Sequence, residues 1–219
     1  MSARLPCLLG ALVAVWTLLT FLPTVWNDFV NWDDPRMFLD NPYHRGPWPA
    51  RLRNAWSSHL LGEFMPVTWM SYGLDRSLWD LHAPGYHLTN LLLHVLAALA
   101  VYALARRLLH HALGAEAPDR GRAAVDVGGA VAALVFAVHP LRLEPVAWVS
   151  ARGTVLGGLL PLLSVLLYVR GWERGRALGR VPGTWLVGSA LLFAASLLAR
   201  ATGLVLPVVL VVLDVYPLR

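Results

Sequence analysis

An uncharged apolar run over residues 5–25 constrains the fold of this chain more than any other feature. A helix needs roughly 20 apolar residues to cross the hydrocarbon core of a bilayer, and it satisfies its own backbone hydrogen bonds there. Further segments come near that length at 88–109, 125–138, 154–169, 184–199 and 203–216. The third and sixth of these spans are short, and Asp126 and Asp214 are expected to limit them. The pattern predicts an all-α polytopic transmembrane helix bundle of about six spans, forming a single membrane domain over residues 1–219.

Composition favours the same class. Hydrophobic residues make up 57% of the chain, charged residues 14%, and mean hydropathy is +0.56, which is too apolar for a soluble domain of 219 residues. The 18 basic residues are all arginine and are spread through connecting segments, which argues against nucleic acid and leaves membrane lipid as the expected partner. Cys7 is the single cysteine, so an intrachain disulfide and a thiolate metal cluster are excluded. Because the run 5–25 exceeds a signal-peptide core and has no small-residue cleavage site before Trp26, it is predicted to be an uncleaved signal anchor.

Arginine distribution predicts the orientation. Two connecting segments are rich in arginine, and by the positive-inside rule they are cytoplasmic. Their arginines are Arg106, Arg107, Arg120 and Arg122, and Arg170, Arg174, Arg176 and Arg180. Both termini are therefore expected in the cytoplasm, and residues 26–87, the first outer loop, on the periplasmic or extracellular side. The stretch 114–121 within the first arginine-rich segment is predicted to be a solvated turn.

The first outer loop is rich in tryptophan. It holds Trp26, Trp32, Trp48, Trp56, Trp69 and Trp79, six of the ten in the chain. Indole favours the headgroup region, so the loop is predicted to lie along the outer membrane surface. Residues 64–81 have spacings partly consistent with an amphipathic interfacial helix. A compact folded loop without membrane contact is the alternative.

The adjacent acids Asp33 and Asp34 are the leading chemical candidates. A carboxylate at the outer mouth of a span can deprotonate an acceptor hydroxyl or bind a cation. It can also cap the next helix, and the order Asp34-Pro35 is typical of such a cap. Residue chemistry alone leaves these roles open.

A second candidate cluster, residues 139–153, lies on the same predicted outer side. Its arginines suit a phosphate because the guanidinium fork cannot be deprotonated, although most interfacial arginines extend to headgroups. Arg200, in a tight outer hairpin, would add a second cation. His139 and Glu144 could form an ion-binding or hydrogen-bonding pair, but one histidine and one glutamate do not define a metal site. His94, within the second span, is predicted to make a hydrogen bond between helices.

Five strings in this chain carry a resemblance to a known family. They are FVNWDDP (29–35), FMPVTWMSY (64–72), GYHLTNLLLH (85–94), HPLRLEPVAWVSAR (139–152) and LPVVLVVLDVYPL (206–218). In order and content they resemble the amino-terminal half of bacterial tetratricopeptide-repeat O-mannosyltransferases. They are similar as well to the transmembrane and tetratricopeptide-repeat-containing O-mannosyltransferases of animals.

The resemblance implies a glycosyltransferase of the C superfamily in the bacterial inner membrane. Such an enzyme transfers a sugar from a polyprenyl-phosphate donor to a protein hydroxyl, with inversion at the anomeric carbon. Asp33 or Asp34 would be the catalytic base, and Arg152 and Arg200 would bind the donor phosphate. His87, His139 and Glu144 are the supporting outer-loop residues. No cofactor beyond the donor is implied, and a divalent metal is left open.

Two function classes follow. The first is the membrane part of a glycosyltransferase, either a fragment or one half of a split enzyme, since no tetratricopeptide repeats follow and a second polypeptide would supply the remaining helices. The second is a non-catalytic membrane scaffold that binds lipid or a partner. A small transporter is disfavoured because no charge pair is predicted at midplane depth.

Overall fold

Helices form all the regular structure that the computed structural model describes, which covers residues 4–41, 45–59, 62–113, 119–180 and 182–218. No strand occurs in those ranges, so the predicted all-α class is confirmed. The α-helices are α1 Arg4–Phe21, α2 Trp48–Ser57, α3 Pro66–Trp79, α4 Ala83–Leu113, α5 Asp119–Ala137, α6 Leu143–Ala147, α7 Arg152–Leu178, α8 Gly183–Ala199 and α9 Leu206–Val215. Single turns of 3-10 or π helix lie at Leu22–Trp26, Pro35–Leu39, Pro140–Arg142, Val149–Ala151 and Ala201–Val205.

Among the described residues, three helical segments are long and apolar enough to cross a membrane: Arg4–Trp26, Ala83–Leu113 and Val149–Leu178. Gly121–Ala137 and Pro140–Ala147 meet the requirement only as a pair, with a bend of 58° between them. The bend falls before Pro140, because a residue that precedes proline avoids the helical region. The chain is therefore an integral membrane protein with three or four candidate spans. All six predicted segments are helical, but α8 and α9 are shorter, and the count of six stays a prediction.

The long helix α4 is the centre of the bundle and packs against α1, α5 and α7. Small buried residues such as Ala98 on α4 and Ala133 on α5 let the helix axes approach closely. At one end of the bundle, Arg106 Nε lies 2.5 Å from a carboxylate oxygen of Asp126, and this ion pair joins α4 to α5. Asp126 was expected to limit the third span. Because Arg106 pairs with it, α5 continues through this position.

The first outer loop folds into a compact unit over one end of the bundle. A buried cluster gathers side chains from α2, α3, the Pro35–Leu39 turn, the start of α4 and the segment before α7: Met37, Phe38, Ala55, Met65, Trp69, Tyr72, Tyr86 and Val149. Five of the six tryptophans of the loop are exposed, as are Leu74 and Leu78 on the outer face of α3. The predicted helix over 64–81 exists as α3, and its position at the membrane interface stays a prediction.

Two polar side chains of the bundle, the buried His94 and the half-buried Tyr168, make contacts between helices. Nε2 of His94 lies 2.9 Å from the Ala137 carbonyl oxygen on α5, so its predicted role as a link between helices is confirmed. The Tyr168 hydroxyl donates to both carboxylate oxygens of Asp214, at 2.7 and 2.8 Å, and this contact ties α9 to α7. Most of the predicted turn, residues 114–118, lies outside the described residues.

Candidate active site

Asp34 is a buried residue whose carboxylate connects the first outer loop to the turn that leads into α7. Its side chain is 0% exposed. The carboxylate accepts hydrogen bonds from the N–H groups of Val30 at 2.7 Å and Ser150 at 3.2 Å, and from the Ser150 hydroxyl. The side chain does not cap the helical turn that follows, so the capping role is wrong for Asp34. Asp34 instead fixes the first outer loop to residues 139–153, which we call the second outer segment after its predicted side of the membrane.

Arg152, the first residue of α7, lies at the centre of a second buried contact. Its side chain is 0% exposed, and one terminal nitrogen lies 2.5 Å from a carboxylate oxygen of Asp75 on α3. Nε donates to the Asn90 side-chain oxygen on α4 at 2.6 Å. The other acceptors are the carbonyl oxygens of Ser71 and Tyr86, at 3.3 and 3.1 Å. The charge of Arg152 is thus balanced inside the protein, and its role in donor binding stays a prediction.

The electrostatics around Asp75 depend on Arg152. Burial raises the pKa of the Asp75 carboxyl, while Arg152 and a hydrogen bond from the Thr89 hydroxyl at 2.8 Å oppose that rise. The Tyr72 ring lies 4.7 Å from the guanidinium carbon, and its hydroxyl donates to the Val149 carbonyl at 2.8 Å. Burial raises the pKa of Tyr72 as well, so the phenol stays a neutral donor. The Arg152–Asp75 ion pair and its hydrogen-bond partners therefore connect α3, α4 and α7 with the turn that precedes α7.

Asp33 has the opposite surroundings. It is half-buried, and its carboxylate makes no hydrogen bond or ion pair with any of the described residues. Its backbone carbonyl accepts from Met37 N–H at 2.8 Å, so the main chain is held by the Pro35–Leu39 turn. The hydrogen bonds of the neighbouring Asp34 to Ser150 hold the backbone at this position. The carboxylate of Asp33 is therefore held in place and is free to contact a substrate.

His87 also lies in this region. Its side chain is 0% exposed, and the charges of Asp34 and Arg152 both act on the ring. Backbone groups of Asp28 and Ala147 lie beside the ring, but neither ring nitrogen forms a well-aligned hydrogen bond within the described residues. The structure thus brings together Asp34, Arg152 and His87.

The remaining predicted site residues do not join the buried cluster. Arg200 is half-buried in the turn before Ala201–Val205, beside Gly157 of α7. His139 is exposed, and its Nδ1 accepts from Leu141 N–H at 3.2 Å, which caps the turn that follows. Glu144 is exposed at the start of α6, and among the described contacts it makes none with His139.

Sequence reasoning missed the partners of Arg152 and Asp34. Asp75 is the acid that balances Arg152, and it shares a face of α3 with Thr68 and Tyr72, all three buried. A carboxylate on the buried face of an amphipathic helix is a signal for a buried cation, and it could have been used. Ser150 carried no comparable signal, because a serine before a span is common and its partner lies 116 positions away.

Fold and site together define an integral membrane protein of helical bundle type, in which buried polar contacts of Asp34 and Arg152 join residues 26–87 to residues 139–153, and the half-buried carboxylate of Asp33 lies next to Asp34 in the chain. The chain is similar to animal proteins named protein O-mannosyl-transferase. Tmtc2 of Drosophila melanogaster is 33% identical over 206 residues, covering 89% of this chain and 20% of that protein. TMTC1 of Homo sapiens is 28% identical over 222 residues, covering 95% and 24%.

A further relative is F38B6.6 of Caenorhabditis elegans, 28% identical over 165 residues, which are 72% of this chain and 22% of that protein. The chain therefore spans less than a quarter of the length of these three relatives. No family model and no solved structure matches it. The comparisons support a membrane protein that resembles glycosyltransferases.

Proposed function

We propose that this chain is the amino-terminal membrane part of a glycosyltransferase of the C superfamily. It transfers a sugar, mannose by analogy with the names of its relatives, from a polyprenyl-phosphate donor to a protein hydroxyl at the outer membrane face. The observation that carries the proposal is the similarity to O-mannosyltransferases over 89% and 95% of the chain. This similarity includes the segments that carry Asp33, Asp34 and Arg152.

Asp33 is the proposed catalytic base. As the acceptor oxygen bonds to the anomeric carbon, the bond from that carbon to the phosphate oxygen breaks, and polyprenyl phosphate leaves with the electron pair. Asp33 takes the hydroxyl proton, and the configuration inverts. The free carboxylate of Asp33 supports this role, whereas all the described contacts of Asp34 are internal. Asp34 is then the residue that positions the base.

Positive charge near the departing phosphate would stabilise the transition state. Arg200 is the proposed direct contact, because its side chain is half-buried and has no described ion pair. Arg152 is proposed to act indirectly: its buried side chain holds Asp75 and Asn90 in place, and with them the first outer loop and the start of α7. His87, His139 and Glu144 remain supporting residues of the same outer region.

The proposed setting is a bacterial inner membrane with both termini in the cytoplasm. A second polypeptide, or a continuation of the chain, supplies further helices and the repeats that bind the protein acceptor. The donor is a substrate, and the proposed transfer step uses no other cofactor.

Transfer of labelled mannose from polyprenyl-phosphate mannose in membranes tests the proposal. A general base contributes roughly 10²–10⁴-fold to a rate, so Asp33→Asn should lower transfer by about 100-fold or more without changing the thermal unfolding midpoint. Asp34→Asn should lower that midpoint, because its neutral amide weakens the contacts with Val30 and Ser150.

Asp40→Asn is the matched control, since Asp40 is an exposed carboxylate in the same segment. Its transfer rate should equal that of the unmodified chain. Full transfer by the Asp33→Asn variant would exclude the base role. An absence of transfer by the unmodified chain, both alone and with a candidate second polypeptide, would exclude the enzymatic function.

A non-catalytic scaffold is the second candidate. It is favoured by one observation, namely that Asp34 and Arg152 make only internal contacts in the described part of the chain. A scaffold requires these residues for stability and does not require Asp33. Equal partner or lipid binding by the Asp33→Asn variant, together with no transfer by the unmodified chain, would favour it.

A further inference from the structure

A cavity of about 610 Å³ lies at the end of the bundle opposite the second outer segment. Its volume is within the range of small-molecule sites, which run from about 300 to 1,000 Å³. Three helices form its walls, with Arg107 from α4, Arg170 and Arg174 from α7, and Trp185 from α8. At 1.5 Å per helical residue, Arg170 lies about 27 Å along α7 from Arg152, which is close to the thickness of a bilayer core, about 30 Å. For a helix that spans a bilayer, this distance places the cavity at the membrane boundary opposite the candidate active site.

The walls of this cavity carry more positive than negative charge. Glu173 is the one acid among the described residues that line it. Its carboxylate already forms an ion pair with Arg107 and lies 3.0 Å from Nε2 of His111. Arg170 and Arg174 are exposed and have no ion pair or hydrogen bond within the described part of the chain. Because these two arginines are four residues apart on one face of α7 and line the same cavity, both guanidinium groups can reach one bound anion.

Trp185 and the residues after it show which side of the cavity faces hydrocarbon. Indole favours the headgroup region of a bilayer, where its apolar ring and its polar N–H are both accommodated. Trp185 is half-buried in the cavity wall, and Leu186, Val187 and Leu191 follow it along α8 with exposed side chains. Lipid tails cover such apolar helix faces in a membrane. A ligand in the cavity therefore meets arginine on the α7 side and an apolar helix surface beside Trp185, which suits an anion with attached hydrocarbon chains.

We propose that this cavity binds the headgroup of an anionic phospholipid, with the phosphate on Arg170 and Arg174 and the acyl chains along α8. The planar guanidinium fork matches phosphate oxygens and keeps its charge at a membrane boundary. Basic cavities between helices on the cytoplasmic side attract anionic headgroups, and the arginine-rich end of the bundle is the predicted cytoplasmic side. A free anion would contact the arginines but would leave the apolar face of α8 unused. The site does not depend on the proposed sugar transfer, because it needs only a chain that lies in a membrane.

Native mass spectrometry of the full chain in detergent tests the proposal by measuring the dissociation constant for added lipid. The two probes are phosphatidylglycerol and phosphatidylcholine with the same acyl chains, of which only the first has a net negative headgroup. Phosphatidylglycerol should bind about tenfold or more tightly than phosphatidylcholine. Arg174→Ala should weaken phosphatidylglycerol binding about tenfold, because one charge-assisted contact is lost. Arg174→Lys should recover part of that loss.

Arg180→Ala is the matched control. Arg180 is an exposed arginine just beyond the end of α7, also without a described ion pair, and it is outside the described lining of the cavity. Its dissociation constant should equal that of the unmodified chain, which separates a specific contact from a general effect of net charge.

Glu173→Gln gives a second test, with the opposite sign. Loss of the carboxylate releases Arg107 from its ion pair, so a third guanidinium group becomes available to the headgroup. Phosphatidylglycerol should then bind about fivefold more tightly, while phosphatidylcholine binding should change little. Weaker binding of phosphatidylglycerol by a folded Glu173→Gln variant would contradict the placement of the headgroup beside Arg107.

Three results would overturn the proposal: phosphatidylglycerol binding that is equal in Arg174→Ala and Arg180→Ala, equal binding of the two lipids, or displacement of phosphatidylglycerol by an equal concentration of inorganic phosphate. The last would identify a site for a soluble anion. The thermal unfolding midpoint of each variant separates lost binding from lost folding, and Arg170→Ala carries the test if Arg174→Ala does not fold. Phosphatidylglycerol binding by a chain that transfers no sugar would remove the proposed function and leave this site. Sugar transfer by a chain that binds both lipids equally would have the reverse meaning.

Discussion

Arg152 and Asp75 occupy positions where an unpaired charge is expensive. Both side chains are at most 1% exposed, and each supplies the opposite charge that balances the other. Taking one partner from a buried pair costs about 3–5 kcal/mol, because the remaining charge stays in a poor environment. At the residue scale these two side chains act as structural fasteners, and Asp33 differs from them because its carboxylate is free.

Arg152→Met should destabilise the fold in a pH-dependent way. Burial already raises the pKa of Asp75 above its ordinary value of 3.8, and loss of Arg152 removes the main opposing influence. A carboxyl with a raised folded-state pKa binds its proton more readily when folded. Its stabilising effect is complete below the unfolded pKa and is lost as pH rises through the folded value. Relative to the unmodified chain, the variant should therefore gain thermal stability as pH falls from neutral towards 3.8, measured by tryptophan fluorescence.

The control for this prediction is Arg152→Met combined with Asp75→Asn. The amide has no proton to gain in this range, so the extra pH dependence should disappear. Parallel curves of unfolding midpoint against pH for Arg152→Met and the unmodified chain would show that Asp75 does not respond to Arg152.

At the scale of elements, the helices could be predicted from the length of their apolar runs, since that length dominates in a membrane. The residues at which these helices begin and end could not be predicted in the same way. Asp126 suggested a short third span, but Arg106 on another helix pairs with it and the helix continues. Matched motifs predicted roles for Asp33 and Arg152, and those roles stay predictions. The burial of Arg152 depends on its pairing with Asp75 on another helix, and the sequence does not say which cation the buried carboxylate of α3 pairs with.

The adjacent glycines of α7 give a test of packing between elements. A Cβ on Gly157 would lie 2.8 Å from the Thr202 hydroxyl and 3.1 Å from Arg200 Cβ, whereas one on Gly158 meets nothing within 4 Å. Gly157→Ala should cost about 1–3 kcal/mol by overpacking. Gly158→Ala should gain up to about 1 kcal/mol of helix propensity. Thermal unfolding of the two variants in one detergent should place Gly157→Ala lower, and equal midpoints would contradict the close approach of α7 to the Arg200 turn.

At the scale of the whole molecule, orientation decides which compartment the proposed site faces. The exposed His139 lies on the predicted outer side, and the exposed Arg174 on the predicted cytoplasmic side. In a Cys7→Ser background, His139→Cys should react with a membrane-impermeant maleimide on intact cells. Arg174→Cys should react only after permeabilisation. The reverse labelling pattern would invert the topology and place Asp33 in the cytoplasm.

The Asp34–Ser150 contact also has a consequence for synthesis. Its two residues are 116 positions apart in the chain, and Ser150 lies two residues before α7 begins at Arg152. At about 5–20 residues per second, a ribosome takes roughly 6–23 s to reach the second residue after the first. For that interval the loop that carries Asp33 has left the ribosome without its fastening, and it is open to chaperones and proteases until the start of α7 arrives.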